Sequence, residues 1–293
     1  MGFIIDNSKY GHLMPQEDYF IESDNIFCVA DGVTRDSLIL KEKENPTMEE
    51  QMEHYPNPSG ASLAAETFCK SFVQFLKDKS VKSEESIREA FIFANNQIKI
   101  LNDKYIKERD YQTNEYYSCV AVGCAIVDRH LFWGAICDCG IAVYDGNLNL
   151  KFRTPDYMAD FYNYGVPDIT RTTGFNTKVK VHEYRKVKRQ YYQNKIKMID
   201  GRLVSYGVLN GEQGAEDFIN VGKLELECGD IVLLYSDGFE GAVYNIDFMK
   251  YLIANFNDNN KIIEYSKKLS NDDYNKYGKE RTLIKYKIDD MER

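Results

Sequence analysis

The sequence predicts an α+β fold in which β-sheets pack face to face and helices cover them from outside. Two observations carry this. The elements run in the order strands, two helices, strands, two helices and a last strand. Apolar residues make up 43% of a 293-residue chain, enough for one large core.

Taken in order, Asp18 to Ile21 and Ile26 to Ala30 are brief apolar runs stopped by polar residues or Gly, as strands are. From Gly60 the spacing changes: Ala61, Ala64, Ala65, Phe68, Phe72, Phe75 and Leu76 recur at three and four residues, marking one face of a helix. A second helix follows Ser83, which can cap it. Glu84 and Glu85 suit its N-terminal dipole, and Ile87, Phe91, Ala94, Ile98 and Leu101 form one stripe. Ser118 to Val127, Leu131 to Ile136, Ile141 to Tyr144 and Leu148 to Phe152, with turns at Asp128-Arg129 and Asp145-Gly146, predict an antiparallel meander. Residues 154 to about 200 lack long periodicity and predict a loop-rich flap inserted into a single domain spanning 1–293. Regular structure returns with the run Ile231 to Tyr235. Helical spacing follows through Phe248, Leu252 and Phe256 and from Ile262 to Leu269, and Thr282 to Ile288 is the last strand.

Charged residues at 28% alongside this apolar content exclude a disordered chain or a small disulfide scaffold. A formal charge of −9 argues against a chain-wide nucleic-acid footprint, which needs surplus Lys and Arg. The start has no basic segment leading into a long apolar core, and no run of eighteen apolar residues occurs, so a soluble protein with no membrane partner is expected. Seven Cys, with Cys28, Cys69, Cys124 and Cys228 in apolar surroundings, predict buried thiols and a reducing cytoplasm.

Candidate chemistry lies where acids end apolar strands. Asp31-Gly32 follows Ile26 to Ala30, and Asp237-Gly238 follows Ile231 to Ser236. Each Asp emerges from a rigid strand, and each Gly lets backbone approach a ligand. Two such ends brought together repel unless a cation sits between them, which points to Mg²⁺ or Mn²⁺. Asp-Gly is also a common turn, and either pair alone reads as one.

Taken as an ordered set, Glu17-Asp18, Asp31-Gly32-Val33-Thr34, Gly60 to Glu66, Trp133 to Cys139, Gly229 to Glu240 and Lys279 to Ile284 resemble the metal-dependent protein phosphatases of the PP2C (PPM) family, over nearly the whole chain. The resemblance implies an α-β-β-α four-layer sandwich, with two central antiparallel sheets and helices on both outer faces. It implies two Mn²⁺ or Mg²⁺ ions and hydrolysis of phosphoserine or phosphothreonine in a phosphoprotein substrate by metal-bound water. On this resemblance Asp31 bridges the ions, Gly32 offers its carbonyl, Asp237 binds one ion, and Glu17 or Asp18 reaches the other. Asp138 matches a mainly structural Asp and is expected to pack or to support the ligands.

The departures are specific. Lys279 stands where the family has its last metal-binding Asp, so one metal site is expected to be weak, absent or completed by Glu280 through a one-residue shift. Leu13 stands where an Arg often grips phosphate, and Val33 follows Asp-Gly where eukaryotic members carry His. Arg35, with Thr34 beside it, is the candidate substrate-binding residue; a solvated loop charge is the other reading. These departures keep open a second function, a phosphatase-fold binding or regulatory module with a damaged metal site.

His12, His54, His130 and His182 are scattered without ligand spacing, which argues against a His-rich phosphoesterase site. Cys137 and Cys139, with Cys119 and Cys124, lack zinc spacing and read as buried thiols. The basic run Lys178 to Lys197, studded with Tyr184, Tyr191 and Tyr192, is expected to be a charged hairpin or a grip for an acidic peptide; nucleic acid is the weaker reading.

Overall fold

A computed structural model describes residues 1–35, 43, 46–53, 55–80, 82–111 and 116–289. His54 lies outside the described residues. In chain order the strands are β1 (Gly2–Ile5), β2 (Tyr19–Ser23), β3 (Ile26–Gly32), β4 (Cys119–Val127), β5 (His130–Ile136), β6 (Gly140–Tyr144), β7 (Leu150–Arg153), β8 (Met198–Ile199), β9 (Arg202–Leu203), β10 (Asn220–Glu225), β11 (Ile231–Tyr235) and β12 (Arg281–Lys287). The helices are α1 (Met48–Met52), α2 (Gly60–Lys77), α3 (Glu84–Tyr105), α4 (Val166–Thr173), α5 (Val181–Tyr191), α6 (Asp237–Val243), α7 (Ile246–Ala254), α8 (Asn259–Asp272) and α9 (Tyr274–Tyr277).

Among the described residues the strands form two five-stranded antiparallel sheets, ordered β1-β12-β11-β6-β7 and β10-β5-β4-β3-β2, and the short ribbon β8-β9. Between the sheets lies a core of Phe27, Val29, Val122, Trp133, Ile141, Val143, Val232, Leu234 and Ile284. Helices α2 and α3 cover the outer face of one sheet, where Phe68, Phe72 and Phe91 meet with ring centroids 5.0–5.5 Å apart. Helices α6 to α8 cover the other through Phe239, Phe248, Leu252 and Ile262. The result is a four-layer α-β-β-α sandwich, as the family resemblance implies and the order of elements suggests.

Local chemistry sets the helix starts. Ser59 accepts from the Ser62 N–H at the head of α2, and Ser83 and Ser86 form a reciprocal capping pair at the head of α3. The central strands are buried on both faces, so Ile26 to Ala30 and Ile231 to Tyr235 read as continuous apolar runs rather than alternating ones.

Three expectations are corrected. The meander is not one sheet: β4 and β5 pair with each other, while β6 pairs with β11 and β7 in the opposite sheet. The chain crosses between sheets at Cys137 to Cys139, where Cys137 takes φ 66°. The segment 154–200 is not loop-rich: a π-helical turn over Phe161–Gly165 runs into α4, and the basic run folds as α5 rather than as a hairpin. Cys228 is exposed, whereas Cys28, Cys69, Cys119, Cys124, Cys137 and Cys139 are buried free thiols. No helix among the described residues is long and apolar enough to cross a membrane.

Candidate active site

The two-residue repeat of the strands delivers the site. In β3, Phe27 and Val29 face the core between the sheets, so Asp31 emerges on that same side at the strand's end. In β11, Val232 and Leu234 face inward and Ser236 is the next such position. In β12, Ile284 faces inward, preceded at the same parity by Thr282 and Glu280. Phe20 of β2 packs on this core, and Asp18 precedes it by two. One end of the sandwich thus collects acids above its last apolar layer. They border a cleft of about 520 Å³, where Glu17, Asp18, Asp31, Asp138, Asp237 and Glu280 share the wall with Lys279.

Hydrogen bonds fix several of these groups. Asp18 Oδ2 accepts from Ser236 Oγ and Thr282 Oγ1, each at 2.7 Å. Glu280 Oε1 accepts from the backbone N–H of Glu17 at 2.8 Å and of Asp18 at 2.7 Å. Glu17 is held by three hydroxyls: Thr34 at 2.5 Å, Tyr55 at 2.9 Å, and Ser59, the cap of α2. Gly32 is required here because a side chain would lie 2.7 Å from the Ala61 carbonyl and 2.8 Å from that of Glu17.

Asp31 accepts no hydrogen bond among the described residues. Burial, and then repulsion from Asp18, Asp237, Asp138 and Glu280, pushes its carboxyl well above the usual range. Burial likewise raises Asp18 to about 7, with Asp237 and Glu17 adding repulsion against the Thr282 and Ser236 hydrogen bonds. Asp138 rises to about 6 through burial and then Asp237. Glu280 rises to about 8 through burial and then Asp18. Glu17 is raised by burial against its three hydroxyl donors. Such a cluster binds protons or a cation. Lys279 already supplies one positive charge: its Nζ lies 2.5 Å from Asp237 Oδ2. Burial works to lower that ammonium's pKa, but Asp237, Asp138 and Asp31 outweigh it and raise it.

The donor set fits a hard divalent ion in its chemistry, oxygen ligands bearing more negative charge than they can share. It is not a finished cage: among the described residues no three His, Cys, Asp or Glu side chains could hold a metal as they stand. Of the sequence candidates, Glu17, Asp18, Asp31, Gly32, Asp237 and Glu280 come together at the cleft, and Thr34 lines it while donating to Glu17. Arg35 lies over the Tyr117 ring, 5.8 Å from its centre, rather than on the cleft lining.

Sequence reasoning undervalued two groups. Asp138 lies on the cleft, and the signal was available, since it too closely follows an apolar strand. The flap supplies Arg185, Lys188 and Arg189 to the same cleft; their spacing of three and four was the signal, hidden by the absence of a capping residue before α5.

This is the fold of the PP2C-type serine/threonine phosphatases. A bacterial serine phosphatase matches it with TM-score 0.59 at 13% identity, covering 99% of this chain and 97% of that one. The Mycobacterium tuberculosis serine/threonine phosphatase PstP matches with TM-score 0.58 at 14% identity, over 99% and 97% of the two chains. The catalytic domain of PstP in complex with two manganese ions matches with TM-score 0.56 at 12% identity and the same coverage. No protein-family model matches the sequence, and no curated protein is significantly similar to it.

Proposed function

We propose that this protein is a divalent-metal-dependent phosphatase acting on phosphoserine and phosphothreonine in proteins. The observation that carries the proposal is the convergence of Asp31, Asp138 and Asp237 at one end of the sandwich, on a fold shared with serine/threonine phosphatases. Bound Mn²⁺ or Mg²⁺ would supply Lewis acidity toward water and positive charge toward the phosphoryl oxygens. Asp31 and Asp237 would hold the ions, with the Gly32 carbonyl and the free oxygen of Asp18 beside them. Ser236 and Thr282 aim Asp18, and Glu280 fixes the backbone that carries it. Glu17, spent on three hydroxyls, ties this backbone to the head of α2. Thr34 orients Glu17 at the edge where substrate would enter. Two ions are proposed, one of them weakly held because Lys279 occupies Asp237. The buried free thiols support a reducing cytoplasm as the site of action.

That same ion pair favours a second reading, a phosphatase-fold binding module that no longer turns over. Turnover of p-nitrophenyl phosphate with and without Mn²⁺ separates the two. The enzyme gives metal-dependent release of nitrophenolate, and the module gives none at any Mn²⁺ concentration.

A further inference from the structure

We infer that Lys188, backed by Arg185 and Arg189 on the same face of α5, is the site that grips the phosphate of a monoester substrate. This deepens the phosphatase reading and rests on it for the substrate class. Residues 185, 188 and 189 are spaced i, i+3, i+4, so one helix face carries all three to the cleft, while Lys186 does not line it. They stand in the wall that also holds Asp31, Asp138 and Asp237.

Lys188 differs from the other cleft lysine. Lys279 is neutralised by Asp237, whereas Lys188 makes no ion pair or hydrogen bond among the described residues. Its ammonium lies instead 4.9 Å from the centre of the Tyr206 ring and 5.3 Å from that of Phe161. Two aromatic rings hold the cation in place without neutralising it. Burial lowers its pKa and the neighbouring Arg189 and Arg185 lower it further, while Cys137 and Asp138 only partly oppose them. A half-buried ammonium on the cleft wall with no carboxylate beside it lacks an anion. A phosphate dianion meets the requirement, with charge-assisted hydrogen bonds to Lys188 on one side. It also needs that cation, because the cleft's carboxylates would otherwise repel it.

The test measures inorganic phosphate binding by calorimetry, with no turnover involved, in the wild-type protein and in Lys188→Met, Lys188→Gln and Lys188→Arg. Each variant is first shown to melt like the wild type, and Met keeps the volume against both rings. Steady-state turnover of p-nitrophenyl phosphate with Mn²⁺ is measured in parallel. The two neutral variants are expected to lose phosphate affinity about tenfold or more and to raise KM by a similar factor, with kcat changed much less. Lys188→Arg is expected to restore most of both. Unchanged phosphate affinity and KM in both neutral variants, or no phosphate binding by the wild type, overturns the inference. A wild type that never turns over but binds phosphate through Lys188 sinks the phosphatase reading and leaves the oxyanion site standing.

Discussion

Lys279 and Asp237 form a 2.5 Å ion pair at the cleft, so the carboxylate at the end of β11 faces an internal cation where a metal ion would compete. Two cations a few ångströms apart repel by about 1 to 4 kcal/mol between the dielectric of water and that of a protein surface. Lys279→Asp is therefore expected to tighten Mn²⁺ binding at least severalfold and to raise the number of ions bound. Calorimetric titration of both proteins checks this, and identical isotherms would remove Lys279 from any competition with metal.

Glu17 accepts from Thr34, Tyr55 and Ser59 while nine-tenths or more buried. In Glu17→Gln one oxygen becomes an amide nitrogen, which cannot accept from the hydroxyl that faces it. Losing buried hydrogen bonds of this kind costs about 1 to 3 kcal/mol. Urea denaturation should show a stability loss of that order, and a midpoint equal to wild type would contradict the clamp.

Asp168 anchors the flap. It accepts from Tyr192 Oη at 2.6 Å and Arg171 at 2.7 Å, with Lys197 at 3.1 Å. The Tyr192 hydrogen bond first, then Arg171, hold its pKa down at about 2. A carboxyl depressed in the folded state contributes stability that is complete above its unfolded pKa, near 4, and lost as pH falls toward the folded value. Hydrogen-exchange protection in α4 and α5, measured against an unfolded chain at the same pH, should therefore fall between about pH 4 and pH 2. Asp168→Asn should exchange fast already at neutral pH and show no acid step of its own.

Gly238 opens α6, and a Cβ there would strike the Glu280 carbonyl and lie 2.7 Å from Arg281 Cβ. Because the obstacle is the backbone leading into β12, Gly238→Ala must push α6 off the segment that carries Lys279 and Glu280. A destabilisation of about 1 to 3 kcal/mol is expected, as for overpacking generally, and thermal melting measures it. An unchanged melting temperature would mean that this contact relaxes freely.

The site was legible wherever an acid ended an apolar run, because a strand buried on both faces leaves a continuous signal and its last inward residue has one direction to point. Asp31 and Asp237 were found in this way. Asp138 follows the same rule, yet it lies in a crossing between sheets made by a non-glycine residue with positive φ, which no turn signal marks. β10 was missed because it is an edge strand with no fully buried residue to alternate. The α4 helix did carry signals, Pro167 at its start and Gly174 in the left-handed conformation at its end. The helix is only eight residues long, too few for a periodic stripe. In α5 the stripe of Val181, Tyr184 and Val187 was drowned by basic residues, which is why the run read as a charged hairpin.

The central claim is that Asp31 gathers the cation on which phosphoester hydrolysis depends. The most direct measurement is phosphate release from a phosphothreonine peptide with Mn²⁺ by the wild-type protein and by Asp31→Asn, with the fold of each verified by circular dichroism. Asp31→Asn should keep the fold, since the side chain faces the cleft, and lose turnover about a hundredfold or more, the scale on which preorganised electrostatic groups act. Wild-type turnover retained by Asp31→Asn in the presence of Mn²⁺ would contradict the account.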